Sequence, residues 1–142
     1  MLKTDAQTGP CRSLRPSLSG RSLSVLLVED EEASAAAVCA AVDKLGHRLC
    51  GTASSEAEAM AMVRQERPDV ALMDVRLAGG DGIAVARRLH NDCGIRSIFL
   101  SGYADHGVMG RITESYPLGV VHKPFSAAQL KIVLDLAARR LR

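Results

Sequence analysis

From residue 23 onward the chain alternates two hydrophobic patterns. Short unbroken apolar runs are followed by longer stretches in which apolar residues recur every three or four positions. SLSVLLVED, HRLCGTA, DVALMDV, RSIFLSG and LGVVHK are the runs. Runs this short and continuous predict strands buried on both faces. Between and after them lie five segments with helical spacing. EEASAAAVCAAVDKLG offers Val38, Ala41, Val42 and Leu45 as one face, with Gly46 closing it. SSEAEAMAMVRQERP opens on a Ser55/Glu58 capping box and is stopped by Pro68. GDGIAVARRLHND is helical, and ADHGVMGRITESY is a weak helix because Gly107 and Gly110 each cost about 1 kcal/mol relative to Ala. SAAQLKIVLDLAARRLR carries a second capping box, Ser126/Gln129. Its face is Leu130, Val133, Leu134, Ala137 and Leu141, and its closing arginines suit the negative end of the helix dipole.

Strand followed by helix, five times over, predicts an α/β fold with a parallel sheet covered on both faces. Right-handed crossovers and five units point to a doubly wound, flavodoxin-like sheet of order 2-1-3-4-5. In that order strands one and three flank the switch point, and ligands bind at the strands' C-terminal ends.

Composition narrows the picture. At 142 residues and 47% hydrophobic content the chain reads as one globular domain able to bury a core unaided. Aromatics make up only 3%, which argues against a binder of single-stranded nucleic acid. Cys11, Cys39, Cys50 and Cys93 lack metal-ligand or CxxC spacing. The last three fall in apolar segments and read as small core residues, so a reducing cytoplasm is the expected setting. No apolar run is long enough to span a bilayer, and the first 20 residues contain no signal-peptide core. Residues 1–22 hold Lys3, Arg12, Arg15 and Arg21 against Asp5 alone, a net +3 that leaves the remainder at −1. They read as a flexible basic tail, and residues 23–142 as the folded domain. His47, His90, His106 and His122 show no ligand spacing and read as surface or strand-end residues.

Within that architecture Asp74 ends strand three, Glu29 and Asp30 end strand one, Ser101 ends strand four and Lys123 ends strand five. All would meet in one cleft. Two unit negative charges about 4 Å apart repel by roughly 4 kcal/mol at an effective dielectric near 20. Three acids therefore call for a cation: Lys123 is one, and Mg²⁺ bound through oxygen is a second. With that charge balanced, Asp74 becomes a carboxylate nucleophile toward a phosphoryl group. Lys123 and the Ser101 hydroxyl would hold the transferred oxygens.

These segments resemble the receiver domain of bacterial two-component response regulators. VLLVEDE is similar to that family's acid-pair strand, LMDVRLAGGDG to its phosphoacceptor segment, IFLSG to its Thr/Ser strand and VVHKPF to its Lys-Pro strand. The resemblance covers about residues 23–142. It implies that Asp74 accepts a phosphoryl group from a sensor histidine kinase or a histidine phosphotransfer protein. It implies that Asp30, Asp74 and the backbone carbonyl of Arg76 ligate Mg²⁺, with Glu29 acting mostly through water. Lys123 would bridge to the phosphoryl group or to Asp74, and Pro124 would follow a cis peptide. The surface of helix four, strand five and helix five would change on phosphorylation and engage a downstream protein. Self-association as a weak homodimer stays open, whereas membrane and nucleic-acid partners are not expected. The chain is read as a single-domain regulator, since it ends with helix five. It would catalyse its own phosphoryl transfer and dephosphorylation and no other reaction.

The departures from the family pattern are Ala78 in place of a common proline, Ser101 in place of threonine, and Val120 where a strand-five aromatic is usual. Tyr103 is a candidate substitute for that aromatic, and the Arg76 side chain is placed to reach the cleft. The missing aromatic keeps open a receiver-like binding module that works without phosphate. A third reading, an aspartate-based phosphatase, is disfavoured because Arg76 occupies the position where such enzymes usually carry a second acid.

Overall fold

The computed structural model describes residues 22–77, 79–102 and 107–141. The basic tail up to residue 21, and the expectations attached to Ala78, Tyr103, His106 and Cys11, lie outside the described residues. Strands β1 (Ser24–Val28), β2 (Arg48–Ala53), β3 (Val70–Asp74), β4 (Ser97–Ser101) and β5 (Gly119–His122) alternate with α1 (Glu32–Lys44), α2 (Glu56–Gln65), α3 (Gly82–Cys93), α4 (Met109–Glu114) and α5 (Ala127–Arg140). The strands form one parallel sheet in the order β2-β1-β3-β4-β5, the order the sequence predicts. A two-residue antiparallel ribbon, Arg76–Leu77 against Gly80–Asp81, follows β3.

The unbroken apolar runs are explained by burial on both faces. Every residue of β3 and β4 is buried, because a helical layer covers each side of the sheet. Leu26, Val28, Met73 and Phe99 belong to one core layer with Ile83, Leu89 and Ile112. Val25, Leu27, Leu72 and Leu100 belong to the other, with Val42, Leu130 and Leu134. Cys39, Cys50 and Cys93 are half-buried against these layers as free thiols.

Helix ends follow the local sequence with two corrections. Gly46, at φ 90°, turns the chain after α1 in a conformation that glycine adopts without strain. The Ser126/Gln129 capping box on α5 is complete. At α2, however, the Ser55 hydroxyl accepts from the Glu58 N–H, while the Glu58 carboxylate accepts from Ser54. The reciprocal half of that box is displaced by one residue. Helix α3 starts two residues later than its sequence pattern, because Gly80 and Asp81 belong to the ribbon and Asp81 is the N-cap. Helix α4 is short, as its glycines predict, and Ile112 is its one buried residue.

His47 stands immediately before β2, which fits the strand-end reading of the histidines, but it is not a surface group. It is 5% exposed, and its Nδ1 accepts the Leu23 N–H at 3.0 Å. Burial holds it below its ordinary 6.5 and the Lys131 ammonium adds to this, against the opposing pull of Asp135. His90 is half-buried with its ring 5.7 Å from that of Tyr116, and His122 is exposed at the end of β5.

Candidate functional site

The site is built by sheet register. Val28 pairs with Met73, so the next residues, Glu29 and Asp74, stand side by side at the C-terminal ends of β1 and β3. Asp74 pairs with Leu100, which brings Ser101 to the same edge. The Lys123 N–H donates to the Ser101 carbonyl at 2.7 Å and so follows β5 to that edge. The Lys123–Pro124 peptide is cis.

Glu29 and Asp74 are 3% and 7% exposed. The Lys123 ammonium donates to Asp74 Oδ2 at 3.3 Å and to Glu29 Oε1 at 3.4 Å. The Arg76 N–H donates to Asp74 Oδ1 at 3.2 Å, and the Glu31 N–H to Glu29 Oε2 at 3.2 Å. Burial, followed by the adjoining Asp74 carboxyl, pushes Glu29 up to about 7. Burial also pulls on the Lys123 ammonium, but the Asp74 and Glu29 carboxylates outweigh it and hold the lysine above its usual value.

Glu29, Asp30 and Asp74 each offer a carboxylate oxygen, and the three oxygens lie within 4.8 Å of one another. Hard oxygen donors in that number, with the Lys123 ammonium 3.3–3.4 Å from the Glu29 and Asp74 carboxylates, fit a divalent cation such as Mg²⁺. The Ser101 hydroxyl is 1% exposed and donates to the Gly102 carbonyl at 3.4 Å, a weak bond to a neighbouring residue. The Arg76 side chain is exposed, and Val120 is half-buried. A cleft of about 500 Å³ opens beside the cluster, lined by Ser34, Ala37, Val38, Pro124 and Phe125.

One positioning feature is hidden in the sequence. A Cβ on Gly82 would stand 1.8 Å from the Asp74 backbone oxygen, and the Gly82 N–H donates to the Val75 carbonyl at 2.9 Å. The start of α3 is therefore wedged against the backbone of Asp74. The Asp-Gly pair at 81–82 is visible in the sequence, but the contact itself is not.

Comparison with known proteins agrees with this geometry. The sequence profile of the response regulator receiver domain matches residues 25–135. The phyllosphere-induced regulator PhyR of Methylorubrum extorquens is 30% identical over 115 residues, 80% of this chain and 42% of that protein. The transcriptional regulatory protein PdtaR of Mycobacterium tuberculosis is 25% identical over 135 residues, 95% of this chain and 64% of that one. The signal receiver domain of a modulated diguanylate cyclase from Desulfovibrio desulfuricans G20 superposes with a TM-score of 0.78 at 30% identity, covering 85% of this chain and 97% of its own. The chain spans between 25% and 64% of the length of these and similar curated relatives.

Proposed function

The chain belongs to the response regulator receiver domain family, and from that premise we propose that Asp74 is its phosphoacceptor, charged by a histidine kinase or a histidine phosphotransfer protein. An Asp74 carboxylate oxygen attacks the phosphorus of a phosphohistidine. A P–O bond forms, the donor's P–N bond breaks, and the electron pair stays on the imidazole nitrogen. The Lys123 ammonium, now shared between Glu29 and Asp74, turns to a phosphoryl oxygen as Asp74 gives up its charge. Ser101 takes a second phosphoryl oxygen by exchanging its weak bond to the Gly102 carbonyl. Asp30, Asp74 and the Arg76 carbonyl would hold Mg²⁺, with Glu29 acting through water. When bound, the ion neutralises the carboxylates and polarises the phosphoryl oxygens. The domain is taken as residues 23–142, preceded by the basic tail 1–22, in a reducing cytoplasm. Its output is a changed protein-binding surface over α4, β5 and α5.

The observation that carries this reading is the single Lys123 ammonium within 3.3–3.4 Å of two buried carboxylates from different strands. Buried acids gathered from remote sequence positions, one of them strongly perturbed, mark functional sites more often than structural ones. The test is labelling by a small acyl phosphate. Mg²⁺-dependent incorporation that disappears in Asp74→Asn supports the proposal, and equal incorporation in wild type and variant overturns it.

A second reading, phosphate-independent protein binding, is favoured by one observation: half-buried Val120 occupies the strand-five position where the family usually carries an aromatic. Partner binding indifferent to phosphodonor and Mg²⁺ would select it.

A further inference from the structure

Helix α4 is held to the rest of the molecule in an unusual way. It is six residues long, begins without a side-chain cap and buries only Ile112. Among the described residues, three contacts between polar or aromatic side chains join α4 and the residues after it to α3 and its N-cap. Arg111 NH2 meets Asp81 Oδ2 at 2.5 Å, Arg87 NH2 meets Glu114 Oε1 at 3.6 Å, and the Tyr116 ring lies 5.7 Å from that of His90. The first contact differs from the others in what stands behind it. Asp81 also caps α3, its Oδ1 accepting the Ile83 N–H at 2.9 Å. Its carboxyl is held below the usual carboxylate range: partial burial opposes this, and the Arg111 guanidinium and the α3 N–H groups outweigh it. Asp81 pairs with Arg76 in the ribbon, and Gly82 beside it is wedged on the Asp74 backbone. The acid is thus fixed to a stiff segment. Asp81 and Arg111 also line an open surface cleft of about 260 Å³, whose walls include Val75, Leu77, Ile83 and Val108. Ile112 belongs to the core layer, with Val108 and Met109 packed against it, so α4 rests on the core beside this cleft, not over a void.

We propose that the Arg111–Asp81 ion pair is a strap tying α4 to the segment that follows Asp74, and that this strap sets where α4 rests. The open cleft beside the pair leaves α4 room to move sideways once the strap opens. Asp81 provides a short route along the chain from Asp74 to that event. The resting strap is independent of the phosphoacceptor reading, whereas its release on phosphorylation rests on it.

Amide hydrogen exchange on the full chain tests the proposal. Asp81→Asn keeps an oxygen for the α3 cap and removes the charge, and Arg111→Gln removes the other partner. Each variant should speed exchange over residues 108–116 by roughly two- to fivefold, as expected for an exposed ion pair guarding a locally opening segment. The double variant should add nothing further, and Arg88→Gln, which breaks separate exposed pairs to Glu56 and Asp92, should leave 108–116 unchanged. Unchanged exchange in either single variant, or additive effects in the double variant, would overturn the strap. With acyl phosphate and Mg²⁺, the wild type should loosen over 108–116 and Arg111→Gln should loosen less. Intact-mass measurement on the same sample separates the two ideas. Labelled wild type with unaltered exchange refutes strap release, whereas absent labelling refutes the phosphoacceptor reading and leaves the first comparison to decide the strap.

Discussion

The two ends of the sheet use charge in opposite ways. At the N-terminal ends of the strands, polar side chains close the backbone of loops. The Leu23 N–H donates to His47, the Ser24 N–H to Asp69 Oδ2 at 2.8 Å, and Arg96 and Arg140 donate to the carbonyls of Tyr116, Pro117 and Leu118. The Leu23 bond satisfies a buried group, and the others pair part-buried or exposed backbone groups that hold the loops in place. At the C-terminal ends, Glu29, Asp30 and Asp74 crowd one another, Lys123 pairs with Glu29 and Asp74, and Glu29 is pushed up to about 7. One end of the sheet stabilises the fold, while the other holds like charges together at the expense of stability. Such a clustering of unfavourable charge is what a site for a cation and a phosphoryl group requires.

Four measurements would break or sharpen that contrast. The largest effect is expected at the wedge behind the acidic end. Gly82→Ala forces a Cβ against the Asp74 backbone oxygen and should cost about 3 kcal/mol or more in urea unfolding. Next come paired substitutions of opposite sign. Asp69→Ala should destabilise by about 1–2 kcal/mol by freeing the Ser24 N–H. Glu29→Gln should stabilise the metal-free protein at pH 7 by on the order of 1 kcal/mol. Equal signs for the two would erase the contrast between the ends.

The third measurement is the pH dependence of stability without divalent cation. Glu29 titrates higher in the folded protein than its ordinary 4.5, so its contribution is full below about 4.5 and is lost as pH climbs to about 7. His47 titrates below its ordinary 6.5, so its contribution is present above 6.5 and is lost as pH falls beneath it. Glu29→Gln should remove the first slope and His47→Gln the second, and millimolar Mg²⁺ should flatten only the first. The smallest effect belongs to Gly110→Ala. Its Cβ would meet nothing within 4 Å and its backbone is not left-handed. The substitution should slow local opening of α4, with a gain of about 0.4–1 kcal/mol in exchange protection.

The features legible in the sequence share a property: each is periodic or terminates a periodic run. Strand order and the site carboxylates were readable because Asp74, Glu29 and Asp30 each stand where an apolar run ends, and a parallel sheet brings those ends to one edge. Lys123 was readable for the same reason. The burial of His47 was not readable, because a lone histidine after a helix looks identical whether it faces water or accepts a buried N–H 24 residues away. The Glu58 box failed at the resolution of a single residue, which spacing rules do not reach.

By itself, then, the sequence determined the layers, the sheet and the convergence of charges, because hydrophobic period and strand ends are local properties that register converts into neighbours. Tertiary structure alone decided the Gly82 wedge, the His47 acceptor and the Arg111–Asp81 contact. These depend on side-chain reach between elements far apart in the chain, and no local pattern encodes such distances.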